Sequence, residues 1–342
     1  MSEETENFDD EDLYIHKVID VDEGQSPLRI DKFLSIHYKN ATRTRIQNAI
    51  LTDSVKVNDQ SVKASYKVKP GDSITISLSE PPKMPSEIIA EDIPLNITYE
   101  DDTLLIVNKT PEMVVHPGFN NYSGTLVHAL AHHFKSLPTS RNGEMRPGLV
   151  HRIDKGTSGL LVIAKTEFAM QHLAKQFFDH SSERTYLALI WGEPEEDSGT
   201  IDANIGRSLK DRRVSAVFPE GNFGRRAVTH YKVIERLRYV SLVQCNLETG
   251  RTHQIRAHMK HIGHPLFNDT TYGGNQVLRG NVFTKFKQFV ENCFEMIPRQ
   301  ALHAMSLGVV HPQTKEWMQF DSELPEDFKS VLEKWRGYLQ YN

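Results

Sequence analysis

The feature that most constrains the fold is a series of short apolar runs alternating with polar loops through residues 88–342. Each run fits one buried strand, and most spacings between runs leave no room for the crossover helix that joins parallel strands. One helical pattern, over residues 167–180, interrupts the series. The runs are residues 104–107, 113–115, 160–164, 186–191, 228–233, 240–243 and 307–310. The pattern predicts an α+β fold with a large, mostly antiparallel sheet.

A proline-rich stretch at residues 80–87 marks the clearest boundary in the chain. Its three prolines make a stiff linker, which separates a small unit at residues 27–79 from a larger unit at residues 88–342. Residues 1–26 are expected to form an acidic, largely disordered tail, with one short strand in the stretch 13–21.

The formal net charge of −5 conceals an uneven distribution. Residues 1–26 hold ten acidic residues and one lysine, whereas residues 27–79 hold nine basic and four acidic residues. An anionic partner would therefore meet a locally basic module, whatever the sign of the whole chain.

Composition indicates an ordinary soluble protein, with 38% hydrophobic and 25% charged residues. No apolar run approaches the roughly 20 residues of a membrane span, and the acidic N-terminus does not resemble a secretory signal. Two cysteines are too few for a disulfide framework or a zinc site of their own. We expect a cytoplasmic protein that has no contact with a membrane.

Residues 27–79 are expected to fold into helices followed by strands. One apolar stripe fits a helix that begins near Ile30, and Thr42 is a good N-cap for a second helix. Residues 55–57 and 74–78 then alternate apolar and polar side chains, as strands do.

Arg43 and Arg45 lie in the first turn of that second helix, where the helix dipole disfavours cations. Such a placement suits an anionic ligand at the helix N-terminus, although a solvated charged face fits a single basic residue equally well. Other cations lie near in sequence: Arg29, Lys32, Lys39, Lys56 and Lys63. Together these residues predict a phosphate-binding surface.

A dense polar loop lies between two apolar runs at residues 147–165. Its polar side chains are costly to bury unless they are paired or face a cleft. They are Arg152, Asp154, Lys155, Thr157 and Ser158. Asp154 is the only acidic residue of this stretch and the one carboxylate available for chemistry there. A structural ion pair with Arg152 or Lys155 accounts for it equally well.

Residues 248–265 form a second polar segment, rich in basic residues and histidines, which suits an anion-lined site better than a core helix. Its four histidines are spaced by five, three and three residues, unlike the zinc-binding pattern H-E-x-x-H, so a metal site is disfavoured. A further basic stretch at residues 207–226 is typical of a loop that touches a polyanion.

Common cofactor signatures are missing from the sequence. Residues 156–160 fail as a nucleophile elbow, and neither a Walker A motif nor G-x-G-x-x-G occurs. Hydride or phosphoryl transfer that depends on a cofactor is therefore disfavoured.

These segments resemble, in order, those of the RluA/RluD-type pseudouridine synthases. Residues 151–161 (HRIDKGTSGLL) resemble the catalytic motif of that family, and residues 249–256 (TGRTHQIR) resemble a later motif. Residues 28–78 look like an S4 RNA-binding domain. Further matching segments are residues 107–109, 113–118, 184–189, 302–304 and 311–312. The arrangement is most similar to the RluD subgroup, which modifies large-subunit ribosomal RNA.

The resemblance implies a catalytic domain with a large mixed, mostly antiparallel bent sheet, plus a small α/β S4 domain. It implies that Asp154 is the catalytic aspartate and that Arg256 pairs with it. Tyr186 matches a tyrosine that stacks near the target base and is a candidate to remove its C5 proton. Arg152 matches an arginine that fills the gap left by the extruded base. We assign further substrate contacts to Lys109, His151, Thr157, Ser158, Arg251, His253 and Gln254, and to Arg43, Arg45 and Lys32 of the S4 domain.

The implied reaction breaks the C1′–N1 bond of a uridine, rotates the uracil and joins C1′ to C5. It needs a flipped nucleotide, an ionised carboxylate and exclusion of water, but no metal or organic cofactor. An arginine within salt-bridge distance would keep Asp154 ionised. Attack on C6, attack on C1′ and elimination to a glycal all stay open.

The sequence departs from the family pattern at three places. Thr110-Pro111-Glu112 stands where the family usually has Pro-Ala-Gly, and Ile153 and Lys155 replace the commoner Leu and Arg. The expected partner is RNA, ribosomal before transfer RNA, bound by a monomer. A non-catalytic ribosome-assembly factor and a metal-dependent RNA hydrolase are the alternatives.

Overall fold

The computed structural model of the protein describes residues 17–38, 43–51, 54–58, 60–76, 87–118, 121–141, 143–208, 214–280 and 283–341. The chain divides into two compact units, Met1–Met84 and Pro85–Asn342. No helix in the described ranges is long and apolar enough to cross a membrane. Expectations for the acidic residues 1–12 and for the prolines of the linker concern residues outside these ranges.

The first unit combines two helices with a small antiparallel sheet. Its elements are β1 (Lys17–Asp20), β2 (Leu28–Arg29), α1 (Ile30–His37), α2 (Arg43–Leu51), β3 (Val55–Val57), β4 (Gln60–Ser61), β5 (Lys67–Val68) and β6 (Ser73–Ile76). The sheet order is β1-β6-β3-β4, and β2 pairs separately with β5. The predicted helices and strands are therefore present, while the predicted N-cap Thr42 lies outside the described residues.

The core of the first unit follows the periodicity of its sequence. Val55 and Val57 are buried and Lys56 between them is exposed, because successive side chains of a strand point to opposite faces. Phe33 and Leu34 bring the apolar face of α1 into the same core.

One buried carboxylate lies beside this core. Asp31 is fully buried and accepts hydrogen bonds from Arg29, from Gln47 and, at 2.9 and 3.1 Å, from Arg43. Arg43 does lie in the first turn of α2, where its guanidinium pairs with Asp31 while its side chain stays 50% exposed, so its assignment to phosphate contact stays a prediction. A buried carboxylate needs the neighbouring guanidinium groups as its own partners.

The second unit is built on a ten-stranded sheet. Its elements are β7 (Ile97–Glu100), β8 (Leu104–Lys109), α3 (Leu126–His133), β9 (Ser158–Ala164), α4 (Glu167–Phe178), β10 (Glu183–Trp191), β11 (Ser198–Arg207), β12 (Ser215–Phe218), β13 (Arg225–Arg236), β14 (Val240–Leu247), α5 (Gln254–His261), α6 (Thr284–Met296), β15 (Leu302–Val310), β16 (Trp317–Asp321) and α7 (Glu326–Tyr341). The order is β12-β11-β13-β14-β10-β15-β9-β8-β7, with β16 beside β15. Only β9 and β15 pair in parallel among the described strands, so the predicted mixed, mostly antiparallel sheet is confirmed.

The prediction that residues 113–115 form a strand is wrong. The carbonyl groups of Val114 and Val115 instead accept hydrogen bonds from Leu126 and Val127, the first residues of α3. The apolar run is buried against a helix start, a partner that its strand-like composition does not specify.

The expectation of a single helix in this unit is also wrong, since α3, α5, α6 and α7 accompany α4. In α7, Phe328, Val331, Leu332 and Trp335 recur at helical spacing and are all buried. This periodicity is visible in the sequence and indicates a helix, which strand-like apolar runs alone do not indicate.

Alternation along the strands distributes the helices between the two faces of the sheet. Ala188 and Ile190 of β10 pack in the same cluster as residues of α3 and α5. Leu189 and Trp191 face the other way, into a cluster with α6 and α7. The first of these faces, which carries α5, also carries the pocket described below.

We expect Asp31→Asn to destabilise the first unit by about 2 kcal/mol, because an amide cannot balance the surrounding guanidinium groups. Burial alone would raise the pKa of Asp31, but hydrogen bonds from Arg29, Gln47 and Arg43 outweigh it and hold the pKa well below its ordinary 3.8. A carboxyl whose pKa is lower in the folded state stabilises the fold at pH values above its pKa in the unfolded state. This contribution is lost as the pH falls toward its pKa in the folded state. Amide hydrogen exchange over residues 28–76 of the full-length protein measures the effect.

The difference in exchange between wild type and Asp31→Asn should be full at pH 7 and smaller at pH 3. Asp20→Asn, at an exposed position of β1, is the matched control and should leave exchange unchanged. Equal exchange in both variants at pH 7 would contradict a stabilising role for the Asp31 network.

Candidate active site

A pocket opens where three parts of the second unit meet. They are the polar loop that precedes β9, the first half of β10, and the turn that leads into α5. The pocket is lined by Arg152, Ile153, Asp154, Thr157, Arg184, Tyr186, Leu247, Gly250, Arg251, Thr252, His253, Gln254, Ile255, Arg256 and Leu302. The two polar segments of the sequence are thus brought together at one site.

Asp154 and Arg256 face each other in this pocket. Nη1 of Arg256 donates a hydrogen bond to Oδ2 of Asp154 at 3.2 Å. The aspartate side chain is 15% exposed and the arginine side chain only 6%. The carboxylate is therefore held by a buried cation while part of it stays accessible from the pocket.

A second carboxylate, Asp269, fixes the same arginine from behind. Nε and Nη2 of Arg256 donate to the two oxygens of Asp269 at 2.7 and 2.9 Å, and Asp269 is fully buried. The backbone N–H groups of Thr271 and Tyr272 also donate to Asp269. This fork leaves Nη1 as the donor that points to Asp154.

Electrostatics keep this arginine charged. Burial alone would lower the pKa of Arg256, but its hydrogen bond to Asp269 and the charge of Asp154 outweigh burial and raise the pKa above its ordinary value. The guanidinium also lies 5.1 Å from the ring centroid of Tyr272, a cation–π distance. A permanently charged, rigid partner for Asp154 results.

Tyr186 projects from β10 into the same pocket and is 7% exposed. Burial raises the pKa of its hydroxyl, with the charge of Arg184 acting in the opposite direction. At neutral pH the phenol of Tyr186 is therefore neutral. The ring offers a flat surface on which a base can stack.

The loop that carries Asp154 is held by two residues ahead of β15. Nη1 of Arg299 donates to the carbonyl of Gly156 at 2.8 Å, and the same guanidinium pairs with Asp327 of α7. Nε2 of Gln300 donates to the carbonyl of Lys155 at 2.7 Å. Gly156 has φ +80°, and a Cβ there would lie 2.6 Å from Gln300, so this close approach requires glycine.

The turn into α5 is held by Gln254. Its Oε1 accepts from the backbone N–H of Arg251 at 2.9 Å and from the hydroxyl of Thr249, and its Nε2 donates to the carbonyl of Val228. The preceding residue, His253, has φ 55° and places Nε2 4.0 Å from Oδ2 of Asp154. Burial lowers the pKa of His253, so the ring is neutral near pH 7. Gln254 thus braces the turn that carries His253 and Arg251.

Three residues assigned to RNA contact lie elsewhere. Lys109 is 1% exposed and donates to the carbonyls of Thr110 and Met113, and burial lowers its pKa to about 7. His151 accepts from the backbone N–H of Val162 and stacks on the ring of Phe177. These contacts hold both side chains within the fold, so we correct their assignment to RNA contact.

Ser158 requires the same correction. It is 2% exposed at the start of β9, and its hydroxyl contacts Nδ1 of His303 at 2.9 Å. Thr157, its neighbour, does line the pocket, and it accepts a hydrogen bond from Gln300. Successive side chains of a strand point to opposite faces of the sheet. The sequence motif alone does not show which of the two neighbours faces the pocket.

Two further basic residues lie at the pocket. Arg152 is exposed there, and Arg251 is half-buried with its Nε donating to the carbonyl of Arg226. The basic stretch at residues 207–226 is described only in part, since residues 209–213 lie outside the described ranges. A solvated guanidinium at a pocket mouth can reach a phosphate of a bound strand.

The histidines of residues 248–265 do not converge. His258 contacts Thr229, and His264 contacts the carbonyl of Trp191, far from the ring of His253 at Asp154. In the part of the chain that the structure describes, no three His, Cys, Asp or Glu side chains group as metal ligands.

Sequence reasoning missed several residues that build the site. Asp269 and Arg299 carry no motif of their own, because each acts on a residue distant in sequence. Arg184 lies in the matching segment 184–189, but the motif assigns it no role. Its spacing of two from Tyr186 on a predicted strand, which turns both side chains to one face, is the signal that could have found it.

Comparison with known proteins identifies the family. The RNA pseudouridylate synthase family matches residues 103–261, and the S4 domain matches residues 28–74. A protein of Chlorobaculum parvum described as an uncharacterized RNA pseudouridine synthase is 47% identical, over 94% of this chain and 98% of its own. The ribosomal large subunit pseudouridine synthase D of Zymomonas mobilis is 41% identical, over 89% of this chain and 92% of its own.

A solved structure agrees with these matches. The human RNA pseudouridylate synthase domain containing 1 protein is 25% identical, with a TM-score of 0.51, and covers 73% of this chain and 96% of its own. The resemblance drawn from the motifs is thereby confirmed: the chain belongs to the RNA pseudouridine synthase family and carries an S4 domain ahead of its synthase domain.

Proposed function

We propose that this protein isomerises specific uridines of large-subunit ribosomal RNA, with Asp154 as the nucleophile acting on an extruded nucleotide. The observation that carries the proposal is the 3.2 Å contact between Asp154 and the buried Arg256 inside a pocket. A metal centre or a relay of nucleophile and base would need other groups at this point. An ionised carboxylate that is neither fully buried nor free in solvent is the group that this isomerisation requires.

The target nucleotide has to leave its helix before Asp154 can reach it. A pocket whose reactive carboxylate is 15% exposed cannot admit a stacked base pair. In our proposal the extruded uracil stacks on Tyr186, and the exposed Arg152 fills the gap that the base leaves in the RNA. His253 and Arg251 line the turn beside the nucleotide.

The choice of ribosomal RNA rests on relatives and on domain composition. The relative in Zymomonas mobilis is named for the large ribosomal subunit, and the S4 match provides a second RNA-binding unit. We assign RNA binding to residues 27–79 and catalysis to residues 88–342, joined by the linker 80–87. We also propose that the protein acts as a monomer in the cytoplasm.

Asp154→Asn should abolish pseudouridine formation and leave RNA affinity largely intact. The amide keeps the shape of the side chain and its contact distance to Arg256 but is not a nucleophile, so the rate should fall at least about 1000-fold. The assay maps pseudouridine by mass spectrometry on ribosomal RNA from cells that lack the protein, after incubation with the purified variant.

Wild type and Glu112→Gln, an exposed acidic residue outside the pocket, serve as the active controls. Formation of pseudouridine at the wild-type level by Asp154→Asn would refute the proposal that Asp154 is the nucleophile. A wild type that modifies transfer RNA but not ribosomal RNA would redirect the substrate, and one that binds RNA without product would favour an assembly factor.

Asp269→Asn should reduce the rate without changing RNA affinity, because the amide cannot hold both donors of the Arg256 fork. Arg256 then rotates toward Asp154 and shields its carboxylate. We expect a loss of about 10- to 100-fold in the single-turnover rate constant. Single-turnover rate constants and RNA affinities of wild type and Asp269→Asn check this, and an unchanged rate constant would contradict a role of Asp269 in positioning Arg256.

Replacing Lys32 and Arg45 by Gln together should weaken RNA binding and flatten its dependence on salt by about one unit for each lost phosphate contact. Arg43 is left intact because it stabilises Asp31. Affinities are measured between low and physiological salt, with Lys287→Gln on the surface of α6 as the control. An unchanged salt slope would reject Lys32 and Arg45 as RNA contacts.

A further inference from the structure

Arg184 places a buried cation inside the pocket with no counter-charge. It lies on β10 two residues before Tyr186, so both side chains project from the same face of the strand. It is only 7% exposed. In the described ranges, no carboxylate forms an ion pair with it.

The guanidinium is only partly paired. Its Nη2 donates to the carbonyls of Leu247 and Glu248 at 3.3 and 3.1 Å. Its Cζ atom lies 5.3 Å from the ring centroid of Phe177. Its Nε has no hydrogen-bond partner although it is buried. A buried donor that makes no hydrogen bond destabilises a fold. This arrangement is therefore better explained by a ligand that accepts from the guanidinium than by packing.

The surrounding backbone is shaped to accommodate this side chain. A Cβ on Gly250 would lie 2.9 Å from Nη1 of Arg184. Glycine in the turn before α5 therefore leaves room for the guanidinium beside the pocket. Because Arg251 and Gln254 follow in the same turn, the position of Arg184 is coupled to the wall that carries Arg256.

The depth of the cation indicates which part of the RNA it meets. Phosphates on either side of an extruded nucleotide belong to a strand that continues out of the pocket, so exposed cations such as Arg152 suit them. A guanidinium at 7% exposure beside Tyr186 suits the part of the nucleotide that enters furthest, which is the base. The groups of uracil that accept from a guanidinium are its carbonyl oxygens.

Resting on the proposed function, we infer that Arg184 donates to a carbonyl oxygen of the extruded uracil and stabilises the negative charge that the base acquires. Asp154, the proposed nucleophile, bonds to C1′ as the C1′–N1 bond breaks, and the electron pair of the broken bond leaves with the base and spreads from N1 to the carbonyl oxygens. After rotation, the C5=C6 pair forms the C1′–C5 bond while the bond from C1′ to Asp154 breaks and restores the carboxylate. C5 then gives up its proton and N1 takes one up. The cation is preorganised for the charge that develops between these steps.

The test compares wild type, Arg184→Met and Arg184→Lys in single-turnover reactions on a ribosomal RNA fragment that wild type converts. The methionine variant removes the charge and the donors but fills similar space. We expect its rate constant at saturating enzyme to fall about 100-fold with RNA affinity unchanged, and the lysine variant to be intermediate. Arg336→Met, which breaks a surface ion pair with Glu235, is the matched control.

The same variants are then tested on the fragment with 5-fluorouridine at the target position. Fluorine withdraws electrons and helps the base carry negative charge, so the loss in Arg184→Met should be several-fold smaller. Loss of the N-glycoside is measured, because fluorine blocks the final release of a proton from C5. A purely structural role of Arg184 would reduce both reactions equally, which would overturn the inference.

Gly250→Ala provides a second variant in case Arg184→Met fails to fold. Its Cβ displaces the guanidinium without removing it, and it should show the same smaller loss with 5-fluorouridine. Weaker RNA affinity, a salt slope reduced by about one and an unchanged saturating rate would instead assign Arg184 to a phosphate and overturn the inference. The proposed function fails separately, if wild type forms no pseudouridine on ribosomal RNA.

Discussion

The site depends on one arginine that serves two carboxylates. Arg256 gives two of its donors to the fully buried Asp269 and one to the partly exposed Asp154. If Asp154 were the only carboxylate beside Arg256, the buried guanidinium would direct several of its donors to Asp154. With Asp269 as the permanent partner, Arg256 is fixed in direction, and Asp154 receives one hydrogen bond that orients it without enclosing it.

The fold supplies this arrangement by connecting distant segments. The loop before β9 is tied to the residues ahead of β15 through Arg299 and Gln300, and Arg299 is tied in turn to Asp327 of α7. The C-terminal helix, which packs on the face of the sheet opposite to α5, therefore supports the position of Asp154. A loop of small and polar residues is held rigid by contacts from outside itself, and it can carry a reactive carboxylate at a defined distance from Arg256.

The sequence permits prediction of the sheet, the two units and the residues that face each other in the pocket. Strand-like runs and motif matches are local properties, and Asp154, Tyr186 and Arg256 lie within such motifs. The sequence does not reveal which side chains of a motif are buried in the fold instead of lining the pocket, as Lys109 and Ser158 are. The partners Asp269 and Arg299 depend on contacts across more than ten residues of sequence. The helical periodicity of α7 is present in the sequence but is hard to separate from apolar runs that resemble strands.

The charges around the pocket also sort the parts of a nucleotide. In the function that we propose, the exposed Arg152 attracts the phosphates of the bound strand, whereas the partly exposed Asp154 repels phosphate oxygens. A neutral base is the part of the RNA that can pass that carboxylate and reach Tyr186. We infer that the buried Arg184, which forms no ion pair in the described ranges, becomes most favourable when the base itself turns negative. On this proposal, the charges of the pocket oppose entry of the backbone and favour the base at the stage when its glycosidic bond breaks.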